Sequence, residues 1–374
     1  MKFTINRDIL MNNLHYVTRA LSTKPQMPVL TVIKIDVKKD GIYLTASNTD
    51  ISIQTSINQS SNLVIEEEGV VVLPGKYLLE MVRKTDAKTI EFFSFEENMV
   101  KILAGRSNLT LNVFDKGAFP LISFDDTKTN FTLDVLNLKQ FIKKTTFASS
   151  TSESRISLTG VSFTANENKL EAISTDSYRL AKKYMLFDQK YTKISAIIPS
   201  KSLDELNKII EDLNEPVEMH FSKTKVLFKY KNVLFQTRLI EGVFPNTSSL
   251  IPSEFITSIK FNKHELVAAI ERASLFSTLE STNIIKMTLT DDRIVEVSST
   301  NNEIGAVLEE LYPIECTNYT PFQIAFSSKY FLDAIRAFDS SELTIHFTGE
   351  IKPFIITGEH DVNHLQLILP VRGV

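Results

Sequence analysis

The chain has one cysteine, Cys316, and no tryptophan in 374 residues. A lone thiol excludes an internal disulfide and any thiolate metal cluster built within one chain, and it points to a reducing cytosol. Glycine is sparse, 11 in all, and scattered. No stretch matches the phosphate-cradling Gly-rich loops or a Gly-x-Ser-x-Gly elbow, so the common nucleotide and hydrolase signatures are missing. No apolar run approaches membrane-spanning length, and the charged start Met1–Asp8 lacks the apolar core of a signal peptide. A basic excess is missing too: 41 Lys and Arg against 45 Asp and Glu leave a net charge of −4. Nucleic-acid binders usually carry the opposite sign, so charge alone argues against one unless the basic residues are segregated on one surface.

What is present is a repeat. Phe3-Thr4-Ile5, Phe131-Thr132-Leu133 and Ile259-Lys260-Phe261 stand 128 residues apart. Each opens a short strand that runs into an amphipathic helix, with apolar residues at Leu10 and Leu14, at Leu138 and Ile142, and at Leu266 and Ile270. Self-similarity at a fixed period means one unit built repeatedly, and this period is that of a whole domain. A second marker is an apolar strand, a turn and a helix-opening lysine, at Lys76, Lys201 and Lys329. A third is Asn48-Thr49-Asp50, Ser174-Thr175-Asp176 and Ser299-Thr300-Asn301; a fourth is Gly117-Ala118-Phe119-Pro120 against Gly242-Val243-Phe244-Pro245. The expected domains are 1–126, 129–249 and 253–374, joined by short polar segments around Asp125–Asn130 and Ser248–Glu254.

Within each unit the pattern reads strand, helix, several strands, helix, then more strands, an α+β class. Helices are expected at 7–21, 75–84, 136–148, 201–211, 264–276 and 329–338, and strands over Val29–Val37, Ile42–Ile57 and Val100–Val113. Basic residues concentrate on the helices: Arg7, Arg19, Lys76, Arg83, Lys144, Lys201, Arg272, Lys329 and Arg336 among them. Acids concentrate on strand segments such as Glu66–Glu68 and Glu309–Glu310. For any one helix a solvated mixed-charge face accounts for this. The lysine recurring at 76, 201 and 329 favours a shared basic surface on a molecule that stays acidic elsewhere.

No cluster of catalytic type stands out. His360 and His364 are four apart, but they fall between strands beside Gly358 and read as polar loop residues rather than metal ligands. Cys316 has no basic partner and reads as a structural or surface thiol. Asp176, Tyr178 and Arg179 read as a turn group, because Thr-Asp or Thr-Asn recurs in all units. Departures from the repeat mark special function: Thr175–Leu180 in the second unit, and the apolar end Leu367–Val374, a last core strand or part of a partner groove.

The residues Lys24–Leu30, Thr175–Ala181, Glu241–Pro245 and Gln366–Arg372, together with the threefold repeat, make the chain resemble the bacterial sliding clamp, the DNA polymerase III beta subunit, over its whole length. The resemblance implies three similar domains of the DNA-clamp type, paired head to tail in a homodimeric ring. Helices would line the bore and antiparallel sheets the outside. It implies a non-catalytic processivity factor without cofactor or metal, cytoplasmic and nucleoid-associated during replication. Its partners would be double-stranded DNA, a second copy of itself, an alpha-type polymerase, the clamp loader and other proteins carrying a clamp-binding motif, with no membrane. The alternatives are a protein-binding scaffold that does not encircle DNA and an enzyme with an unrecognised site.

Residue by residue, the resemblance places Lys24, Lys76, Arg83, Arg155 and Lys201 near DNA. Lys24 stands where other clamps carry Arg, and Ile156 and Ser157 replace an aromatic pair of some clamps. The partner-peptide cleft would comprise Leu158, Thr175, Ser177, Tyr178, Arg179, Leu180, Pro245, Ser249, Leu250, Ser327, Tyr330, Ile351, Pro353, Ile368, Leu369, Pro370, Val371 and Arg372. Its apolar walls would be Leu180, Leu250, Ile368 and Leu369, with Pro370 keeping the last strand from pairing on. The subunit interface would join Arg106, Leu109 and Leu111 to Leu275 and Phe276, with Glu303, Glu309 or Glu310 pairing Arg106. Met99 and Asn108 replace charged residues there, so closure would lean on apolar contacts.

Overall fold

The structure is a computed structural model and describes residues 1–22, 27–95, 98–124, 130–211, 213–277, 283–301 and 303–371. The first repeat carries β1 (Lys2–Asn6), α1 (Arg7–Val17), β2 (Val32–Lys38), β3 (Gly41–Ser47), β4 (Ile51–Asn58), β5 (Leu63–Glu67), β6 (Gly69–Pro74), α2 (Gly75–Lys84), β7 (Thr89–Phe95), β8 (Met99–Ala104) and β9 (Ser107–Asn112). The second carries β10 (Asn130–Asp134), α3 (Val135–Thr145), β11 (Gly160–Thr175), β12 (Arg179–Pro199), α4 (Ser200–Asn207), β13 (Pro216–Phe221), β14 (Lys225–Tyr230) and β15 (Val233–Arg238). The third carries β16 (Thr257–Asn262), α5 (Lys263–Ser277), β17 (Ile284–Leu289), β18 (Val295–Asn301), β19 (Gly305–Leu311), β20 (Glu315–Thr317), β21 (Phe322–Ser327), α6 (Ser328–Arg336), β22 (Glu342–Phe347), β23 (Phe354–Gly358) and β24 (His364–Ile368).

All six expected helices are present. Asn6 starts α1 by accepting the Asp8 and Ile9 N–H groups, and Asn262 starts α5 by accepting those of His264 and Glu265. These caps share the 128-residue spacing with Asp134 ahead of α3. The α1 and α3 segments tighten at their ends into 3₁₀ turns, Thr18–Ala20 and Thr146–Ala148. Three strand expectations are corrected. Pro28–Thr31 is a 3₁₀ turn, so the strand starts at Val32. The segments 42–57 and 100–113 are not single strands but the hairpins β3–β4 and β8–β9. Asn48 breaks the first by capturing the N–H groups of Asp50 and Ile51, both at 2.8 Å. Gly105, at φ +61°, turns the second.

The chain gathers into two compact units: Met1–Leu138 with Ser202–Leu239, and Lys139–Lys201 with Ile240–Val374. The first holds a five-stranded sheet, β5-β1-β7-β8-β9, and an eight-stranded sheet, β10-β13-β14-β15-β4-β3-β2-β6. The second holds a seven-stranded sheet, β11-β12-β24-β23-β22-β16-β20, and a four-stranded sheet, β19-β18-β17-β21. The described pairings are antiparallel. The units do not follow the sequence repeat, because strands of neighbouring repeats share a sheet. β15 pairs with β4 (Thr237 opposite Ile51), and β24 pairs with β12 (Ile368 opposite Arg179). The middle repeat is therefore divided between two sheets.

Phenylalanine fills the third repeat's core: Phe261, Phe326, Phe331, Phe338, Phe347 and Phe354 are all buried in one cluster. Ring centroids lie 4.8 Å apart for Phe326 and Phe331 and 5.3 Å for Phe326 and Phe354. Such rings contribute area burial plus tilted ring contacts worth about 1 kcal/mol each.

Candidate functional site

In the second unit, β11 hands over to β12 through a turn capped by Asp176. Its Oδ1 accepts the N–H groups of Tyr178 (2.9 Å) and Arg179 (3.0 Å), and Ser177 takes a left-handed φ of +80°. Arg179 is 8% exposed and fully engaged. It donates to Asp176 Oδ2 (3.0 Å), Asp333 Oδ2 (2.7 Å) and the Phe147 carbonyl (2.6 Å), and stacks 4.4 Å over the Tyr330 ring. Arg179 is thus a brace that fixes the turn, not a free cation. Tyr178 is thrown outward, 62% exposed, with its ring 6.4 Å from that of Tyr330. Burial, then Asp176, pushes the Tyr330 hydroxyl above its ordinary pKa. Ser327 caps α6 by accepting the Tyr330 N–H.

The expected apolar walls divide into surface and support. Leu250 (52% exposed), Leu369 (38%) and Ile351 are surface. Leu180, Leu158 and Ile368 are buried. Side chains alternate along β12 and β24, so Leu180 and Leu367 pack with Ile355 beneath Ile251 and Phe255, while Ile368 enters the third repeat's core. A cavity of about 480 Å³ opens beside them, lined by Ser249, Leu250, Pro252, Phe255, Lys352 and Pro353. Ile251 was hidden in the polar joint Ser248–Glu254, and Phe255 directly follows it; the paired apolar residues Leu250-Ile251 and Phe255-Ile256 are the signal that finds them. Thr175 is buried, its hydroxyl donating to the Arg179 carbonyl, and Pro245 is exposed. Pro370 does not simply free the tail. Leu369 N–H donates to the Tyr178 carbonyl and Val371 N–H to the Ala325 carbonyl on β21. Lacking an N–H, Pro370 marks the step from one sheet to the other. Arg372 lies outside the described residues.

The basic helical residues separate into structural and free. Arg7 donates to the Val82 and Arg83 carbonyls and so caps the end of α2. Lys144 is buried. Arg19 pairs with Glu205, Arg83 with Glu80, Arg272 with Glu309 and Arg336 with Glu271. Lys76, Lys201 and Lys329 are different. Each is the second residue of its helix, each is exposed, and none has an ion-pair partner among the described residues. Arg155 reaches Ser177 Oγ at 3.0 Å, which places it at the groove turn. Lys24 lies outside the described residues.

Two terminal strands among the described residues bear on closure, each on its own unit. β9 ends the five-stranded sheet with Leu109 and Leu111 half-buried and Arg106 exposed. β19 ends the four-stranded sheet with Ile304 and Leu308 exposed, near exposed Leu275 and half-buried Phe276. Glu309 is held by both nitrogens of a fork from Arg272 (2.9 and 2.6 Å), and Glu310 accepts the Tyr312 hydroxyl. Of the three acids expected to face Arg106, Glu303 alone has a carboxylate without a partner among the described residues. Leu308 went unnoticed in the sequence because two glutamates follow it, and Ile304 because it stands between Glu303 and Gly305.

The polar marker of the repeat is a turn made three times, by Asn48, Asp176 and Asn301, the last accepting the Glu303 (2.9 Å) and Ile304 (3.1 Å) N–H groups. The equivalent in the first repeat is Asn48, not Asp50 as the segment alignment suggests. His364 is also corrected: it is a buried residue opening β24, its ring 4.4 Å from Phe338, not a loop residue.

Family models of the DNA polymerase III beta subunit match the chain in order: the N-terminal domain over residues 1–123, the central domain over 132–246 and the C-terminal domain over 248–372. Beta sliding clamps of Staphylococcus epidermidis and Staphylococcus aureus are 37% and 38% identical, each spanning 100% of this chain and 99% of the relative. The solved DNA polymerase sliding clamp of Bacillus subtilis superposes over 100% of both chains with a TM-score of 0.96 and 36% identity. The Streptococcus pneumoniae DNA polymerase III beta chain does so with a TM-score of 0.96 and 34% identity.

Proposed function

Since this chain belongs to the family of the DNA polymerase III beta subunit, the beta sliding clamp, we infer that it works as a replicative processivity factor. Two copies would close head to tail around duplex DNA and hold the polymerase to its template. The molecule performs no catalytic step; its work is mechanical. In this reading each repeat is one clamp domain, over 1–126, 129–249 and 253–374.

The observation that carries the reading is the full-length, in-order match of all three repeats to clamp domains. The lysines add physical support. A cation near a helix N-terminus opposes the helix dipole, so Lys76, Lys201 and Lys329 are poorly placed for their own helices and well placed for an external anion. Backbone phosphates are that anion, and contacts to them carry no base information. A closed ring is retained by topology, so a few weak contacts suffice and the protein slides. Acidic strands elsewhere keep nucleic acid off the remaining surface. Lys24, Arg83 and Arg155 join this set in our reading.

The groove around Tyr178, Leu250, Ile351, Pro353 and Leu369 would receive a short segment of the polymerase, the loader and other clamp-binding proteins, with Arg179 as brace. Subunit closure would pair the β9 edge with the β19 edge, which also covers two aggregation-prone edges. Arg106 and Glu303 are the pair left to meet across it. The protein would reside in the cytoplasm, on the nucleoid during replication; no helix among the described residues is long and apolar enough to cross a membrane.

The test is topological. Clamp loaded on nicked circular plasmid should be lost when the plasmid is linearised. Retention on open-ended DNA would sink the reading and favour a scaffold that binds without encircling.

A further inference from the structure

The groove of the second unit has a backbone copy in the first. Arg238 N–H donates to the Asp50 carbonyl at 3.1 Å, as Leu369 N–H donates to the Tyr178 carbonyl at 2.9 Å. Asn48 caps the turn before Asp50 as Asp176 caps the turn before Tyr178. Lys225 lies opposite Arg238, where in the other groove Pro353 stands one step beyond the pair Phe354–Ile368. The chain path is the same and the chemistry is changed: Tyr178, Leu369 and Pro353 give way to Asp50, Arg238 and Lys225.

What remains is a groove of about 200 Å³ with a mixed lining, apolar from Leu30, Leu121 and Ile122 and cationic from Lys225 and Arg238. Neither cation has an ion-pair partner among the described residues, and Asp50 is the single carboxylate lining the groove. Leu121 is fully exposed for a local reason. Phe119 and Ile122 are anchored against Val32 and Val72, which leaves Pro120 and Leu121 between them on the outside. A large apolar side chain held in solvent beside two unpaired cations is a surface with a missing counterpart.

We propose that this groove is a second docking site, taking a short acidic segment of a partner protein whose carboxylates meet Lys225 and Arg238 and whose one large apolar side chain covers Leu121. The change from neutral to charged residues at the two grooves' matching positions separates their ligands, since a segment suited to the apolar groove leaves the two cations unpaired. The choice of groove rests on the docking role proposed for the second unit.

The test uses the full-length dimer and a fluorescein-labelled peptide Asp-Glu-Leu-Glu-Asp, with Lys-Lys-Leu-Lys-Lys as its control, read by anisotropy at low and high salt. The acidic peptide should bind saturably and the basic one should not. The double change Lys225→Glu and Arg238→Glu, and separately Leu121→Asp, should each weaken binding by about tenfold or more, with circular dichroism and dimer mass unchanged. Leu369→Asp should leave it intact. Unchanged affinity in both first-unit variants, loss in Leu369→Asp alone, equal binding of the basic peptide, or displacement by duplex DNA would each overturn the proposal. A Leu369→Asp variant that still holds the polymerase would count against the second unit's groove alone and leave the first-unit result to stand on its own.

Discussion

Asp361 is a heavily committed carboxylate of the second unit. It is 4% exposed and accepts from Ser340 Oγ (2.6 Å), Ser340 N (2.9 Å) and Asp339 N (3.0 Å), and it forms an ion pair with buried Lys144. Burial pushes its carboxyl up, but nearby His364, Lys144 and Ser340 outweigh that and hold it well below the usual carboxylate range. Lys144 comes from the second repeat and Asp361 from the third, so the pair ties the two together. Lys144 keeps an ion pair with the exposed Asp339 at 2.9 Å, so Asp361→Asn costs the hydrogen bonds around the buried carboxylate rather than a whole stranded charge and should lower unfolding free energy by about 1–3 kcal/mol. Urea unfolding followed by fluorescence would measure it, and a loss under about 1 kcal/mol, the size of an exposed pair, would contradict it. Burial also lowers the pKa of His364 and of His346 below 6.5 in the folded chain. On acidification the unfolded chain takes up those protons first, so stability should fall as pH drops below 6.5. Asp361 adds a further loss below 3.8. The urea midpoint should therefore decline between about pH 7.5 and about pH 5.5, and His364→Gln should flatten part of that decline. Nothing in the sequence marked this cluster. Lys144 sits among basic helical residues and His364 beside an asparagine; burial of both follows from contacts between residues far apart along the chain.

At the scale of elements, the helices and the exposed edges make different predictions. Replacing Lys76, Lys201 and Lys329 together with Ala should leave folding intact, since exposed residues without partners contribute little to it. It should reduce the salt dependence of duplex binding, by about 0.9 in the log–log slope for each phosphate no longer neutralised. An unchanged slope would place these lysines away from DNA. For the edges, Leu308→Asp or Ile304→Asp should convert dimer to monomer in sedimentation, because a charge would then have to be buried among Leu109, Leu111 and Phe276. Dimer dissociation should depend weakly on salt, as one exposed pair, Arg106 with Glu303, is worth about 1 kcal/mol at most. The helices were legible because their periodicity, caps and lysines recur at a fixed spacing. The edges were half legible: Leu109, Leu111, Leu275 and Phe276 stand out as apolar, whereas the commitment of Glu309 to Arg272 depends on a contact between residues 37 apart. The groove behaved likewise. Motif residues located it, but which leucines face solvent was decided by the alternation of β12 against β24.

For the whole molecule, the threefold repeat was readable without coordinates, and the α+β class with it. What could not be read was that the repeats do not keep their strands to themselves. No sequence period reports that β15 completes a sheet begun by β4, or that β24 completes one begun by β12. Deleting Leu369–Val374 should abolish polymerase binding with the dimer preserved, since it removes the described tail bonds to Tyr178 and Ala325 but no strand of either large sheet. A monomeric deletion variant would show the tail to be part of closure.

The shared sheets also bear on inheritance. A segment copied along a gene is usually imagined as a cassette that could once have stood by itself. Here the central copy could not: cut out at 129–249, it would present the bare flank of β15 and the bare stretch Arg179–Lys183, both apolar-backed and both looking for a strand. If its ancestor was a single copy, that ancestor must have satisfied the same flanks with its own kind. Association between copies would then be older than the fusion of the three, and the long chain a record of an assembly that came first.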